Sequence, residues 1–533
     1  MIIAEAFFKA LKLDMYFTVP GRFTIPLNIS LEKIGANKVM IPDERCAGHA
    51  ADGYARMSGK PAGLVVSAGP GALNATLPVA TAFRDNSPMV LIVGDVPTYS
   101  KGSLAVEEVE LVNVFKPICK KLIYVGDEEG IAEALRLAEY SSRAPKRPVL
   151  IDFPLDVQER EARLWYDHRE GVQKGEEEDV KEKAAEVAKL LKDSKRPLIL
   201  VGNGCLGAHD LVAKFAEKYR IPMAYTLMGW CMAWPKPSVN VGFCGVRGFK
   251  AANRALQECD LLIALGARLS EATIAHGLSN EATVIQVLVD DPFHKRASIK
   301  IRANCESFVK ALLERYDGGE KSHWVQYEAE PFYESKTFKI ITRLLRESDC
   351  SVLSLDMGQS STWALEAVKH GWSGPILYPG GLATMGFSIP AAIGAQLAKP
   401  NGKVLSITGD GGALMNLPAL HVISKLKLPI IVAVFNNEVY GMVRSRQLRD
   451  YGLTSDVEVG FRGFREVAEA TGMRYLEVKE ERDLEGLGKG PLLIEVKVDA
   501  DDAPPTTKKL FPKPSDFQAY ITHARDAVSS QIF

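Results

Sequence analysis

The sequence predicts an α/β protein with three doubly wound domains, each built on a parallel sheet. Three observations carry this prediction. The chain has 533 residues, which is too long for one hydrophobic core and suggests about three domains. Short apolar runs alternate with helical segments in every third of the chain. The clearest unit, at residues 404–442, has the pattern strand, helix, strand, with a polar corner after each strand.

Composition and charge exclude several classes of protein. Hydrophobic residues make up 47% of the chain and charged residues 25%, with a formal net charge of −1, as in an ordinary soluble globular protein. No basic excess favours a nucleic-acid partner. The eight cysteines are scattered, so we expect reduced, mostly buried thiols in a cytoplasmic protein. We expect neither a signal peptide nor a membrane span.

Residues 1–160 are predicted to form the first domain. The apolar runs predict strands at residues 15–19, 38–41, 62–67 and 89–93, with helices between them. One helix is expected to begin at Glu44, and the small residues after it suit close packing against a sheet. A lone glutamate in a first helical turn is usually a cap or a dipole partner. We interpret His49, which lies among alanines, as a packed helix residue.

Residues 156–180 are charged and rich in turn residues, which is typical of a linker. The second domain is expected at residues 180–315 and to be Rossmann-like. Its strands are predicted at residues 197–201, 223–226, 260–265 and 284–289. The sequence GNGCLG after the first of these strands is only a weak dinucleotide signal by itself.

The third domain is expected at residues 335–533. Residues 350–355 and the apolar run that begins at residue 404 are predicted strands, and residues 430–435 form an unbroken apolar run suited to a strand buried on both faces. The segment between the last two has an apolar stripe at near-helical spacing, formed by Leu417, Leu420, Ile423 and Leu426. The Pro-rich tail at residues 503–514, followed by an amphipathic helix, is a candidate lid over a site.

Two polar corners of the third domain predict a metal site. Asp410 and Asn437 each follow a strand, and ligands of doubly wound sheets bind at the carboxyl ends of the strands. With the carbonyl of Val439 they offer hard oxygen ligands for Mg²⁺, which a phosphate would complete. Three glycines let backbone N–H groups approach that phosphate: Gly409, Gly411 and Gly412. An isolated Gly-Asp-Gly is usually only a turn, but the pairing with Asn437 favours a site. No Walker lysine follows, which argues against an NTPase P-loop.

These motifs resemble those of one family. The GDGG and NN corners, with a helix between them, resemble the diphosphate and metal motif of the thiamine diphosphate (ThDP) enzymes. The sequence DERCAGHAADGYARMSG, followed by SAGPGALN, resembles their pyrimidine-binding domain. RPLILVGNGC, IPMAYTLMGW and DLLIALGARL resemble the central domain of the acetohydroxyacid synthase branch. By these motifs the chain is identified as a member of the ThDP-dependent acetolactate synthase and 2-oxo acid decarboxylase group.

The resemblance implies pyrimidine-binding, central Rossmann-like and diphosphate-binding domains, in that order. It implies that Glu44 hydrogen-bonds N1′ of the aminopyrimidine, so that the imino form of the ring takes the C2 proton. It places the backbone of Ala383 and Met385 on the aminopyrimidine and the Met385 side chain between the two rings, although such a methionine is more often core. Ala383 replaces the usual glycine. The other implied cofactor positions are Gln359, Ser360, Gly409, Asp410, Gly411, Gly412, Asn437, Val439, Tyr440 and Gly441.

Departures from the family pattern bear on the substrate and on flavin. Ala272 replaces a second arginine of the synthase branch, and Leu288 and Asp290 stand where that branch has paired aspartates. Both changes argue against FAD and against a carboxylate clamp for a second 2-oxo acid. Arg446 stands where the branch has a tryptophan. Arg446 and Arg22 are candidate ligands for an anionic substrate. For each residue, a solvated surface charge without a ligand is an alternative of about equal weight.

The resemblance implies a carbon–carbon lyase or carboligase. The C2 ylid adds to a 2-oxo acid, CO₂ leaves, and the enamine is protonated or captured by an acceptor carbonyl. An acetolactate-synthase-like enzyme is the leading hypothesis. A 2-oxo acid decarboxylase or a 2-hydroxyacyl-CoA lyase is the alternative, and a non-catalytic paralogue is a further one. Because the family site lies between subunits, we expect a homodimer or homotetramer. The sequence does not name the substrate.

Overall fold

The computed structural model describes residues 1–163, 180–290, 292–488 and 490–505. In this part of the chain, three six-stranded sheets follow one another, and the strands paired within them are parallel. Helices flank the sheets. This architecture confirms the predicted α/β class with three doubly wound sheets. In the described part of the chain, no helix is both long and apolar enough to cross a membrane.

The first sheet begins with short strands and has long buried strands at its centre. Its strands are β1 (Tyr16–Thr18), β2 (Lys38–Met40), β3 (Ala62–Ser67), β4 (Met89–Asp95), β5 (Lys121–Tyr124) and β6 (Val149–Pro154). Its helices are α1 (Ile3–Leu11), α2 (Ile25–Lys33), α3 (Glu44–Ser58), α4 (Pro70–Asn74), α5 (Thr76–Arg84), α6 (Leu111–Phe115), α7 (Gly130–Ser141) and α8 (Leu155–Glu159). The strand order is β2-β1-β3-β4-β6-β5. Every residue of β3 and β4 is buried, which explains their unbroken apolar sequence.

The second sheet is the central one. Its strands are β7 (Pro197–Val201), β8 (Met223–Tyr225), β9 (Asn240–Phe243), β10 (Leu261–Leu265), β11 (Thr283–Leu288) and β12 (Ile299–Arg302). Its helices are α9 (Val180–Asp193), α10 (His209–Lys218), α11 (Leu227–Met232), α12 (Lys250–Glu258) and α13 (Cys305–Arg315). The order β12-β11-β10-β7-β8-β9 reverses between β10 and β7, which is the Rossmann pattern that the sequence predicts.

The third sheet repeats the strand order of the first. Its strands are β13 (Val352–Leu355), β14 (Ile376–Leu377), β15 (Val404–Gly409), β16 (Ile430–Asn436), β17 (Arg474–Val478) and β18 (Leu492–Lys497). Its helices are α14 (Lys336–Glu347), α15 (Gln359–Ala367), α16 (Ser388–Ala398), α17 (Asp410–Leu414), α18 (Leu417–Lys425), α19 (Gly441–Tyr451) and α20 (Phe464–Thr471). The order is β14-β13-β15-β16-β18-β17, so the direction of progression reverses between β13 and β15.

Helix α3 joins the first and third sheets. The Asp43 side chain caps it by accepting the N–H of Cys46 at 3.1 Å. Its small residues pack against α16 so closely that a Cβ on Gly53 would collide with the backbone of Ala391. A Cβ on Gly394 of α16 would likewise collide with the backbone of α3. The two helices therefore make a backbone-to-backbone contact that larger side chains would prevent.

His49 is a packed residue of α3, as predicted. It is 1% exposed, and its ring packs edge-on against Phe387 at 5.4 Å. Burial lowers the pKa of the imidazole to about 4, so it is neutral at physiological pH. The prediction of buried free thiols is also confirmed, because all eight cysteines are free and seven are buried.

The structure adds detail to two local predictions. The expected linker at residues 156–180 is helical at both ends, since α8 ends at Glu159 and α9 begins at Val180. The side chain of Gln158 is buried in α8 and donates to the Phe153 carbonyl at 2.6 Å, which holds this segment on the first sheet. The Gly-Asp-Gly-Gly turn is the start of the short helix α17. Residues 164–179 of the linker and 506–514 of the candidate lid lie outside the described residues.

Candidate functional site

A cavity of about 240 Å³ lies at the carboxyl ends of β13, β15 and β16. The strand order reverses between β13 and β15, and α/β sheets bind ligands at such a reversal. Every position that the resemblance assigns to cofactor binding in the third domain lines this cavity. These positions are Gln359, Ser360, Ala383, Met385, Gly409, Asp410, Gly411, Gly412, Asn437, Val439, Tyr440 and Gly441.

Asp410 is the buried carboxylate of the cavity. It is 2% exposed, and its Oδ2 atom has no hydrogen-bond partner among the described residues. Burial raises the pKa of this carboxyl to about 6, although the backbone N–H groups of Gly411 and Glu438 oppose that rise. A buried charged oxygen without a partner is costly, and a bound cation removes that cost. The side chain is therefore suited to a metal ion.

The loop after β16 brings the Asn437 amide and the Val439 backbone to the cavity that contains Asp410. Asn437 donates from Nδ2 to Oε1 of Gln359 at 3.1 Å. Its Oδ1 atom accepts the backbone N–H of Val439 at 3.2 Å. Because the amide nitrogen is engaged by Gln359, the orientation in which Asn437 presents its oxygen is fixed. Asp410 and Asn437 thus come together as the sequence predicts.

Glycines keep the wall of the cavity open. A Cβ on Gly411 would lie 2.5 Å from the ring of Tyr440 and 3.5 Å from the Met385 methyl group. A Cβ on Gly441 would collide with the amide of Gln359. Side chains at these positions would fill the space that the backbone now borders. The wall can therefore present backbone N–H groups to a bulky anion such as a diphosphate.

The segment that ends at Met385 forms another part of the wall. Ala383 has a φ of +60°, in the left-handed region, and its N–H donates to the Pro379 carbonyl at 2.8 Å. Glycine adopts this conformation without steric cost, whereas alanine does not. The structure therefore gives the physical reason for the glycine that the family pattern has at this position.

Asp356 is a buried residue of the site that the sequence analysis did not single out. It is 0% exposed and accepts the N–H groups of Met357, Gly386 and Ser388 at 2.8, 2.8 and 3.2 Å. Burial raises the pKa of this carboxyl. These bonds tie the segment after β13 to the turn after Met385. In sequence it looks like any aspartate that ends a strand, so no local signal marks its role.

Glu44 lies in the first turn of α3, as predicted, but outside the Asp410 cavity. Its Oε2 atom accepts a hydrogen bond from Nδ2 of Asn74 at 3.0 Å, a partner that the sequence analysis did not identify. Its Oε1 atom borders Gly71, where a Cβ would lie 3.2 Å away. The described residues that line the Asp410 cavity all fall between 337 and 502. Within one chain, Glu44 therefore does not line the cavity that contains Asp410.

The two candidate substrate arginines also lie outside the Asp410 cavity. Arg22 is exposed at the start of the short 3₁₀ helix Arg22–Thr24, and its guanidinium lies 5.4 Å from the Phe23 ring. Arg446 lies on α19 and pairs with Asp450 at 3.4 Å. Both arginines are exposed on the surface of the chain.

The donors of the cavity suit magnesium and a diphosphate. In the described ranges of the chain, no group of three or more His, Cys, Asp and Glu side chains could hold a metal ion. Among the groups that line the cavity, Asp410 and Asn437 offer a carboxylate and an amide next to open backbone. Mg²⁺ is commonly bound by one or two carboxylates plus the phosphates of a ligand. The residues present therefore fit a magnesium diphosphate.

Comparisons with known proteins agree with this geometry along the chain. The family model "Thiamine pyrophosphate enzyme, N-terminal TPP binding domain" matches residues 1–116. The models of the central domain and of the C-terminal TPP binding domain match residues 184–312 and 356–496. Thiamine pyrophosphate is another name for thiamine diphosphate.

Relatives match over nearly the whole chain. A probable acetolactate synthase large subunit from Methanocaldococcus jannaschii is 33% identical, over 94% of this chain and 93% of the relative. The acetolactate synthase large subunit of Lactococcus lactis is 30% identical, over 92% and 91%. The acetolactate synthase isozyme 1 large subunit of Escherichia coli is 29% identical, over 91% of both chains. The chain therefore belongs to the thiamine diphosphate-dependent enzymes, in the family of acetolactate synthases and 2-oxo acid decarboxylases.

Proposed function

We propose that this chain catalyses an acetolactate-synthase-like carboligation, in which a 2-oxo acid loses CO₂ and the remaining acyl unit joins an acceptor carbonyl. The observation that carries the proposal is the cavity at the ends of β13, β15 and β16. Every expected cofactor position of the third domain lines it, and so does Asp410, whose buried Oδ2 atom has no hydrogen-bond partner among the described residues. The names of the relatives support the reaction.

In this proposal the third domain holds the diphosphate end of the cofactor. Asp410, Asn437 and the Val439 carbonyl bind Mg²⁺. The backbone around the cavity binds the diphosphate, at Gln359, Ser360, Gly409, Gly411, Gly412, Tyr440 and Gly441. Ala383 and Met385 hold the aminopyrimidine. Thiamine diphosphate supplies a nucleophilic carbon for the carbonyl of the 2-oxo acid and takes up the electrons left when CO₂ departs.

Glu44 is proposed to hold a proton at N1′ of the aminopyrimidine, which is the catalytic role of the first domain. Its carboxylate is fixed on one side by the Asn74 amide at 3.0 Å. Because a carboxylate at a helix start is also stabilised by the helix dipole, its position is well defined without a cation. The functional domains then correspond to residues 1–160, 180–315 and 335–533.

A homodimer or homotetramer is proposed to complete the site, because Glu44 does not line the Asp410 cavity of its own chain. Large apolar side chains are exposed on the first domain, which carries Glu44, and on the third domain, which carries Asp410. Their exposure favours burial against a second copy of the chain. In the first domain these are Ile25, Ile29, Leu73, Leu77, Leu104 and Val106, and in the third domain Leu382, Met415, Val443, Tyr451 and Leu453. Arg22, from the first domain, and Arg446, from the third, are the proposed ligands for an anionic substrate. The free thiols suit the cytoplasm.

A second candidate function, a 2-oxo acid decarboxylase or 2-hydroxyacyl-CoA lyase, is favoured by Ala272. This residue lines a groove where the three domains meet. By resemblance, the synthase branch has an arginine there that clamps the carboxylate of a second 2-oxo acid. Without that guanidinium, binding of the acceptor is weakened, and protonation competes with carboligation.

The first experiment is calorimetric titration of the metal-free protein with thiamine diphosphate, with and without Mg²⁺. Uptake that requires Mg²⁺ is the expected result, and no uptake would refute the proposal. Product analysis with pyruvate then separates the candidates. Acetolactate supports the synthase, and free acetaldehyde supports the decarboxylase. Cleavage of a 2-hydroxyacyl-CoA without acetolactate formation supports the lyase.

The shared site has a separate test with two inactive variants, Glu44→Gln and Asp410→Asn. After subunit exchange, each mixed dimer has one site with both native groups. Mixing equal amounts should therefore restore about a quarter of wild-type activity. The unmixed variants, taken through the same exchange procedure, are the control. If the mixture stays inactive although subunits exchange, both groups act within one chain and the shared site is refuted.

A further inference from the structure

A second cavity, of about 620 Å³, lies where the three domains meet. Its wall includes Arg84 from the first domain, Arg247 and Arg268 from the central domain, and Tyr378 from the third. It shares Met357, Ala383 and Met442 with the Asp410 cavity. Because the two cavities share these three residues, the second cavity is a groove that adjoins the Asp410 cavity.

Arg247 is a buried cation in this groove. It is 9% exposed, and Nη1 donates to the hydroxyl of Tyr378 at 2.9 Å. Its Nε atom is buried without a partner, and it forms no ion pair with any carboxylate of the described residues. Burying a guanidinium without an anion is costly, so such a residue is kept for an anion that comes from outside the chain.

The other charges that face the groove leave its arginines largely uncompensated. Arg268 donates to the Arg84 carbonyl at 3.2 Å, and Asp290, whose charge acts on Arg268, is already paired with Arg147 at 2.9 Å. Asp85 lines the groove, but it is already paired with the buried Arg56 at 2.8 Å. Glu271 lines the groove as an exposed side chain. The three arginines of the wall therefore outnumber the carboxylates that remain to balance them.

The position of Arg247 is fixed by the same segment that borders the cofactor cavity. The Tyr378 hydroxyl that accepts from Arg247 also lies 3.5 Å from the sulfur of Met357, which lines both cavities. The Tyr378 carbonyl accepts from Arg56 at 2.9 Å. A group bound to Arg247 would thus be held in a defined place relative to the wall of the reaction site.

We propose that the groove binds an anionic group of the substrate, a carboxylate or a phosphate, and that Arg247 is the residue that recognises it. This inference rests on the proposed function. The anion is one that stays in the product, because pairing an arginine with the carboxylate that leaves as CO₂ would stabilise the reactant more than the transition state. Arg247 thereby supplies a guanidinium to a groove whose wall has alanine at position 272.

Calorimetry on the enzyme loaded with thiamine diphosphate and Mg²⁺ tests this, with glutarate and inorganic phosphate as probes. Arg247→Gln should weaken binding of one probe by about 10- to 100-fold, the usual effect of losing a charge-assisted hydrogen bond. Arg254→Gln, at an exposed arginine of α12, is the matched control and should bind as wild type does. A response to glutarate indicates a carboxylate, and a response to phosphate indicates a phosphorylated substrate.

Three results would overturn the inference: neither probe binds wild type, both bind Arg247→Gln as tightly as wild type, or a flavin copurifies and blocks both probes. If Arg247→Gln does not fold, Tyr378→Phe is the second variant. It removes the hydroxyl that holds the Arg247 guanidinium, so it should weaken binding of the same probe by a few-fold. Arg247→Lys should restore most of the binding. In turnover, Arg247→Gln should raise KM more than it lowers kcat. Cofactor affinity, measured separately, reports on the proposed function and should not change.

Discussion

Replacing Asp410 by asparagine distinguishes the effect of this buried carboxylate on stability from its role in binding Mg²⁺. Burial raises the pKa of the carboxyl from 3.8 to about 6. Since each pKa unit corresponds to about 1.4 kcal/mol, keeping Asp410 ionised in the metal-free protein costs up to about 3 kcal/mol. Asparagine has nearly the same shape and no charge. The metal-free Asp410→Asn variant should therefore be more stable than the wild type at pH 8.

The size of this gain should depend on pH with a definite sign. Because the pKa is raised in the folded state, the folded wild type binds more protons than the unfolded chain between about pH 4 and pH 6. Its stability therefore falls as the pH rises through that window. The advantage of Asp410→Asn should be complete above about pH 6 and shrink to about 1 kcal/mol at pH 4.5.

Scanning calorimetry of the metal-free proteins at pH 4.5 and pH 8 measures the effect. For a domain of about 200 residues, each kcal/mol shifts Tm by roughly 2–4 °C, so a rise of up to about 10 °C is expected at pH 8. Asp349→Asn, at a side chain that is 86% exposed, is the matched control. With Mg²⁺ and cofactor the order should reverse, because only the wild type gains binding energy. A variant that is less stable than wild type at pH 8 without metal, or that gains as much at pH 4.5, would refute the reasoning.

Three further predictions concern the same site. Affinity for Mg²⁺ should fall about tenfold for each pH unit below 6, because protons and the cation compete for Asp410; calorimetry between pH 5 and pH 8 checks this, and a flat profile would contradict it. Ala383→Gly should raise the unfolding free energy by about 0.5–1 kcal/mol, since relief of the left-handed conformation exceeds the added entropy of the unfolded glycine; an unchanged or lower Tm would show that the alanine is not strained. Glu44→Gln should lower kcat by about 10²–10⁴-fold and slow hydrogen–deuterium exchange at C2 of the cofactor. Its cofactor affinity should change little, so a loss of binding would assign Glu44 a different role.

Much of the fold and of the cofactor cavity could be predicted from local sequence patterns. The strands expected at residues 62–67 and 197–201 coincide with β3 and β7. Buried parallel strands are unbroken apolar runs between turn residues, so their ends are visible in the sequence. Asp410 and Asn437 converge because both follow parallel strands beside the point where the strand order reverses.

What the sequence did not reveal depends on contacts between distant segments. Asp356 organises the cavity through Gly386 and Ser388, which lie about thirty residues away. Arg247 stands among glycines and apolar residues in the sequence, and its hydrogen bond to Tyr378 of the third domain is visible only in the structure. Such roles follow from tertiary structure, and residue type and spacing do not encode them.

The close contact between α3 and α16 has a consequence for how two catalytic centres would behave. Cys46, on the helix that carries Glu44, donates to Asn416 at 3.0 Å, and Asn416 in turn donates to the Gly386 carbonyl beside Met385. If Glu44 serves the cofactor of a second copy, each chain joins one centre to the other through a stiff link. Binding in one centre would then displace the wall of the other. Rapid-mixing kinetics would then show that the two centres bind substrate unequally, so that one centre turns over while the other is inactive.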